Sequence, residues 1–135
     1  MTAVLVSTHS VLIDSDVLIW YARGNERAIA AVNAIAERHI SAVSYMELLQ
    51  GCRTKAELKV VQKAFKSDVH DVLPLTQNIS TLACQLVEQY ALSHSVHLAD
   101  ALIAATALSH GLVLLTGNDK HFSAIKGLRL DVFRP

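Results

Sequence analysis

Apolar and polar positions along this chain fall into blocks that switch between strand-like and helix-like periods. Val11, Leu12 and Ile13 form an unbroken apolar run that stops at Asp14. Residues 112–115 form another, which stops at Thr116. Short runs of this kind read as strands buried on both faces of a parallel sheet. Val17, Leu18, Ile19 and Trp20 resume an apolar pattern after Ser15 and Asp16, which reads as the start of a helix. Ala28, Ile29, Val32, Ile35 and Ala36 recur at helical spacing and predict a helix over 25–38, with Asn25 as its cap.

Residues 39–43 read as a second strand, followed by a helix from Ser44 to about Gly51 and another from Thr54 to about Lys66. A third strand is expected over 69–75, with Pro74 at its end because proline cannot donate to the ladder. Residues 76–93 predict a long helix with Ile79, Leu82, Ala83, Leu86, Val87 and Tyr90 facing inward. The helix over 98–109 is almost wholly apolar, so it belongs in the centre of the domain. Residues 128–133 read as a final edge strand, and Val4, Leu5 and Val6 either extend the first strand or lead into it. Strands alternating with helices imply an α/β fold with a right-handed, parallel sheet and helices on both faces.

Composition narrows the class. The 135 residues suit one domain, 1–135, without linker, repeat or low-complexity segment. With 52% apolar residues the chain can build a core and is not disordered. The formal net charge is zero, so any nucleic-acid role must rest on a local patch. Cys52 and Cys84 match no metal or redox spacing and read as reduced, buried thiols of a cytoplasmic protein. No apolar run is long enough for a membrane span, and residues 1–10 lack the basic start of a signal peptide.

The chemistry lies in the carboxylates. Ligands of open α/β sheets bind beyond the carboxyl ends of the strands, which is where Asp14 falls. Asp14 or Asp16 is also a good helix cap. Glu47 follows the second strand, and Ser44-x-x-Glu47 has the form of a capping box, as does Thr54-x-x-Glu57. Asp100 is the one charge in an otherwise apolar helix start; pairing with His97 or binding a cation would offset its burial. Thr116-Gly-Asn118-Asp119 follows the strand at 112–115 and is also a turn sequence.

Each residue has its own structural explanation, but together they share one rim. Two bare carboxylates about 5 Å apart repel by roughly 3 kcal/mol at an effective dielectric near 20. Divalent cations relieve that repulsion, and an all-oxygen set favours Mg²⁺ or Mn²⁺. Ions so held are a standard means of in-line attack on a phosphodiester.

The sequence resembles the PIN domain and, within it, the VapC-type toxin ribonucleases of bacterial toxin–antitoxin pairs. Four segments carry the likeness across residues 11–133: Leu-Ile-Asp14-Ser-Asp-Val-Leu-Ile-Trp, Ser-Ala-Val-Ser-Tyr-Met-Glu47-Leu-Leu-Gln-Gly, Leu-Ala-Asp100-Ala-Leu-Ile-Ala-Ala-Thr-Ala-Leu and Leu-Leu-Thr-Gly-Asn118-Asp-Lys-His-Phe. The resemblance implies a three-layer sandwich around a mostly parallel sheet of about five strands. It implies a Mg²⁺- or Mn²⁺-dependent endoribonuclease acting on single-stranded or loop RNA. Asp14, Glu47 and Asp100 match the family's acidic positions. Asn118 matches a fourth, which is Asp or Asn in the family. Asn is a weaker, neutral ligand, so Asp119 either shares its role or caps a short helix. Ser15 matches a Ser or Thr that helps hold the metal site, and Thr116 is a second supporting residue. The lead before Asp14 is longer than usual. A homodimer, and a small antitoxin lying across a groove, are also implied.

Two rivals remain. Asp14-x-Asp16 resembles the nucleophile of haloacid-dehalogenase-like phosphatases, although Leu18 stands where those expect Thr or Val. A PIN-like module that binds RNA or a partner without cutting is the other. For RNA contacts, Arg23, Arg27, Lys120 and His121 lie near the presumed rim, whereas Arg53, Lys55, Lys59, Lys63 and Lys66 form either a solvated helix face or a phosphate-tracking stripe. Trp20, Tyr21, Leu48 and Leu49 are apolar residues available to a partner groove.

Overall fold

The computed structural model describes residues 10–68 and 71–135. Five strands, β1 (Ser10–Ile13), β2 (Glu37–Ser41), β3 (Asp71–Leu73), β4 (Val113–Thr116) and β5 (Leu130–Val132), form one sheet in the order β3-β2-β1-β4-β5. All four neighbouring pairs are parallel. The order reverses between β1 and β4, where Ile13 is in register with Leu115. This is the switch point beyond which open α/β sheets bind their ligands.

Seven helices are seen among the described residues: α1 (Ser15–Ala22), α2 (Glu26–Asn33), α3 (Ala42–Gln50), α4 (Lys55–Asp68), α5 (Gln77–His94), α6 (Leu98–His110) and α7 (Asp119–Phe122). They cover both faces of the sheet. Because strand side chains alternate, Leu12 and Leu114 face a core shared with α5 and α6, while Val11, Ile13 and Leu115 face α1 and α2. The three-layer α/β sandwich is therefore present, with every strand pair parallel.

Helix α6 is the central helix that its composition suggested: Ala101, Ile103, Ala104, Ala105, Thr106 and Ala107 are all buried. It ends where Gly111 takes a left-handed φ of 63°, a conformation that glycine adopts without a Cβ penalty. Its helix start carries the half-buried Asp100 to the sheet's carboxyl rim.

Several boundaries differ from the expected ones. Helix α2 stops at Asn33, and Ile35 turns inward outside it, since β2 starts at Glu37 and pairs Arg38 with Val11. Strand β3 spans three residues; residues 69–70, like Val4 to Val6, lie outside the described residues.

The most consequential difference is at α3. It starts at Ala42, not Ser44, because Ser41 is the cap and accepts the Val43 amide at 3.2 Å. Ser44 is buried inside the helix, so Ser44 and Glu47 form no capping box. Thr54 does cap α4: its hydroxyl accepts the Glu57 amide, and Glu57 reaches back one residue further, to the Arg53 amide. The turn expected at residues 116–119 continues into the short helix α7, with Asn118 at its cap position.

Candidate functional site

The carboxyl ends of β1 and β4 place Asp14 and Thr116 side by side. Asp14 is 6% exposed, and its amide extends the ladder by donating to the Leu115 carbonyl at 2.9 Å. Its Oδ1 accepts the Ser15 amide at 2.8 Å, so Asp14 does cap α1. Its Oδ2 accepts a hydrogen bond from the fully buried Thr116 hydroxyl, also at 2.8 Å. Capping and site formation are thus the same arrangement.

Asp16 joins them. Its Oδ1 accepts the Val17 amide, and its Oδ2 accepts the Gly117 amide at 2.9 Å, clamping the start of α1 to the end of β4. A Cβ on Gly117 would lie 2.8 Å from Asp16 Oδ2 and 3.3 Å from the Phe133 carbonyl, so the clamp needs glycine there. Sequence reasoning gave Asp16 a part only as a helix cap or in the phosphatase alternative. Its readable signal was a second acid in the first turn of α1; its partner is 101 residues away and was not readable.

Glu47 stands one turn into α3, at the rim. Freed from capping, its Oε1 accepts the Ser15 hydroxyl at 3.3 Å. Asp100 enters from α6. Its Oδ2 accepts the His97 backbone amide at 3.1 Å and lies 3.0 Å from His121 Nδ1 on α7. The expected side-chain partner, His97, is replaced by His121; the His97 and His121 rings are 5.8 Å apart.

Asp14, Ser15, Asp16, Glu47, Asp100, Gly117 and Asn118 line one open pocket of about 300 Å³, with Ala99 and Ile103 as its apolar wall. Asn118 uses its backbone amide to donate to Thr116 Oγ1, and its side chain makes no capping bond. Asp119 does not line the pocket. It faces the chain end, where Arg134 donates to its Oδ1 at 2.8 Å and holds its carboxyl below the usual range. Of the basic residues, Arg23 stacks over the Trp20 ring at 5.7 Å, Arg27 and Lys120 are exposed, and His121 is engaged with Asp100.

The pocket holds negative charge uncomfortably. Burial pushes Asp14 up to about 6, reinforced by the neighbouring charges of Asp16 and Glu47 and opposed by the Thr116 and Ser15 hydrogen bonds. Burial also raises Asp16. Glu47 is raised by burial and by the charges of Asp100 and Asp16. The donors are oxygen throughout, with no imidazole or thiolate in the lining, which suits Mg²⁺ or Mn²⁺ rather than zinc. Among the described residues no three His, Cys, Asp or Glu side chains close into a ready-made cage. An open, oxygen-edged pocket still fits Mg²⁺, which keeps several waters and takes only one or two protein carboxylates.

The PIN domain family matches residues 11–128 of the sequence. The chain belongs to the PIN domain family. It is 37% identical over 123 residues to Ribonuclease VapC10 of Mycobacterium tuberculosis, covering 88% of this chain and 90% of that protein. A toxin–antitoxin complex from Klebsiella pneumoniae contains a chain 29% identical to this one, with a TM-score of 0.75 over 88% of this chain and 95% of the other. A DNA-bound VapBC from Salmonella typhimurium has the same fold at 23% identity, with a TM-score of 0.76 over 92% and 98% of the two chains. Membership of the PIN family removes the phosphatase alternative. Within this PIN domain both oxygens of Asp16 are occupied by backbone amides. Among the described residues no helix is long and apolar enough to cross a membrane.

Proposed function

We propose that this PIN domain is the toxin of a toxin–antitoxin pair, a divalent-metal-dependent endoribonuclease that cuts single-stranded or loop RNA. The observation that carries the reading is the pocket in which Asp14, Glu47, Asp100 and Asn118 meet at the sheet's switch point. PIN-domain ribonucleases generally depend on a divalent metal, and Mg²⁺ or Mn²⁺ fits this donor set. Asp14, Glu47 and Asp100 would hold the ion, with Asn118 as a neutral fourth donor. When bound, such an ion neutralises the acidic rim and polarises the phosphodiester.

The chain's own residues prepare the pocket. Thr116 and the Ser15 amide hold Asp14, the Ser15 hydroxyl holds Glu47, and Asp16 locks the two strand ends together. Ala99 and Ile103 supply a water-poor wall. Arg27 and Lys120, both exposed, would supply positive charge for the RNA backbone, with Arg23, which lies over Trp20, as a further candidate.

The partner would occupy a neighbouring groove of about 710 Å³, which shares Glu47 with the acidic pocket and is lined by α1, α3 and α4 through Leu18, Tyr21, Leu48, Val60, Val61 and Phe65. Its apolar lining suits a segment of a small antitoxin protein. A homodimer and a cytoplasmic site of action, both implied by the PIN toxin resemblance, complete the reading.

The test is cleavage of end-labelled single-stranded RNA with Mg²⁺ or Mn²⁺. Internal cuts that disappear with EDTA, and fall by orders of magnitude in Asp14→Asn, are expected. RNA binding without cutting would favour the non-catalytic PIN module instead.

A further inference from the structure

We propose that His121 is a positioning residue, which fixes the Asp100 carboxylate so that one of its oxygens is presented to the metal. The inference rests on the reading of Asp100 as a metal ligand. It departs from the expectation that His121 contacts RNA.

The hydrogen bonds on Asp100 are one-sided. Oδ2 lies 3.0 Å from His121 Nδ1 and also accepts the His97 amide at 3.1 Å. An ionised carboxylate only accepts, so Nδ1 carries the proton in this contact. Among the described residues no donor reaches Oδ1, although Asp100 lines the pocket and its side chain is only 14% exposed. One oxygen is therefore held from two elements, α6 and α7, and the other is left for the pocket.

A second donor matters because the terminal torsion of an aspartate is broad and weakly restrained. The amide of His97 alone leaves the carboxylate free to swing about that bond. The imidazole fixes its plane, as outer hydrogen bonds commonly do for metal ligands. The imidazole is itself presented from a firm base. Phe122, next in α7, is 1% exposed in the core beneath. Arg134 ties the start of the helix by donating to Asp119 Oδ1 at 2.8 Å and to the Gly117 carbonyl at 2.9 Å.

The test measures Mn²⁺ binding without RNA, by calorimetry or by the electron-spin signal of the free ion, in wild type, His121→Ala and His121→Asn. The histidine side chain is more than a third exposed, so its loss opens no cavity, and melting in EDTA confirms the fold. His121→Ala should bind Mn²⁺ about 10–100-fold more weakly. His121→Asn, which keeps a donor close to the Nδ1 position, should recover most of that loss. Equal Mn²⁺ affinity in His121→Ala, or no recovery in His121→Asn, overturns the proposal. So does an RNA-affinity loss in EDTA with Mn²⁺ affinity intact, which would make His121 an RNA contact. If wild type binds no Mn²⁺, the reading of the pocket fails first.

Discussion

The Thr116 hydroxyl donates to Asp14 Oδ2 at 2.8 Å, joining two buried residues 102 positions apart. Thr116 Oγ1 in turn accepts the Asn118 amide at 3.0 Å, so one hydroxyl orders both sides of the pocket. Thr116→Val keeps the shape and removes both bonds. The substitution should lower stability by about 1–3 kcal/mol, the usual cost of leaving buried polar groups unpaired. Thr116→Ser should restore most of it. Urea unfolding of the three proteins checks this; an unchanged midpoint for Thr116→Val would show that the bond contributes nothing.

Asp14 makes the metal-free protein sensitive to pH. Its folded value is about 6 against an ordinary 3.8, so the folded state binds this proton more tightly than the unfolded chain. The contribution to stability is therefore fully present below about pH 4 and is lost as pH rises through about 6. At about 1.4 kcal/mol per pH unit, the loss is on the order of 3 kcal/mol. Glu47 and Asp16 are shifted the same way and add to the trend. Melting in EDTA between pH 4 and 7 should show Tm falling across this window, and Asp14→Asn should flatten the curve. A wild-type Tm that rises over the same range would contradict the burial of charge at Asp14.

The apolar runs at 11–13 and 112–115 were legible as β1 and β4 because their core contacts are set by their own composition. Asp14 and Asp100 were legible because a charge against such a background is conspicuous. Glu47 was found on a mistaken local frame. Val43 drew the expected strand two residues too far, and the choice of Ser41 over Ser44 as cap depends on where β2 leaves the sheet. Asp16 and His121 show the other limit. Their partners are 101 and 21 residues away, and only the adjacency of β1 with β4, and of α6 with α7, brings them together. Asp119 is adjacent in sequence to Asn118, which lines the pocket, but is itself turned to Arg134.

Glu47 lines both the groove and the acidic pocket, but the α4 residues line only the groove, so a change on α4 should separate partner binding from catalysis. Helix α4 has an apolar face yet no fully buried residue, and Val60 is 68% exposed within the groove. Val60→Asp should leave stability within about 0.5 kcal/mol, as for most surface changes. It should leave RNA cleavage unchanged and weaken antitoxin binding at least about tenfold, a loss of about 1.4 kcal/mol. Calorimetry with the antitoxin, and hydrogen exchange showing protection at residues 17–22 and 44–65, measure the outcome. Protection confined to β5 would place the partner elsewhere.

Asp100→Asn asks whether the acidic pocket is a metal site or a set of helix ends. An Asn carbonyl can take the place of Oδ2 and keep both the His97 and His121 bonds, while the pocket loses one negative charge. Two effects then oppose each other in the metal-free protein. Loss of repulsion against Glu47 is stabilising, as the upward push of Asp100 on Glu47 indicates. Conversion of charge-assisted hydrogen bonds to neutral ones is destabilising. The metal-free Tm should therefore change little, and the response to Mg²⁺ becomes the decisive quantity. A ligand at ten times its dissociation constant adds about 1.4 kcal/mol to the folded state. For a chain of this size that is roughly 3–8 °C in Tm. Wild type should show such a rise in several millimolar Mg²⁺, and Asp100→Asn a much smaller one at the same concentration. Equal rises would remove Asp100 from the ligand set. No rise in either protein, with the mutant destabilised, would make Asp100 a helix-terminal charge held by two histidines and defeat the metal-site reading while leaving the PIN fold untouched.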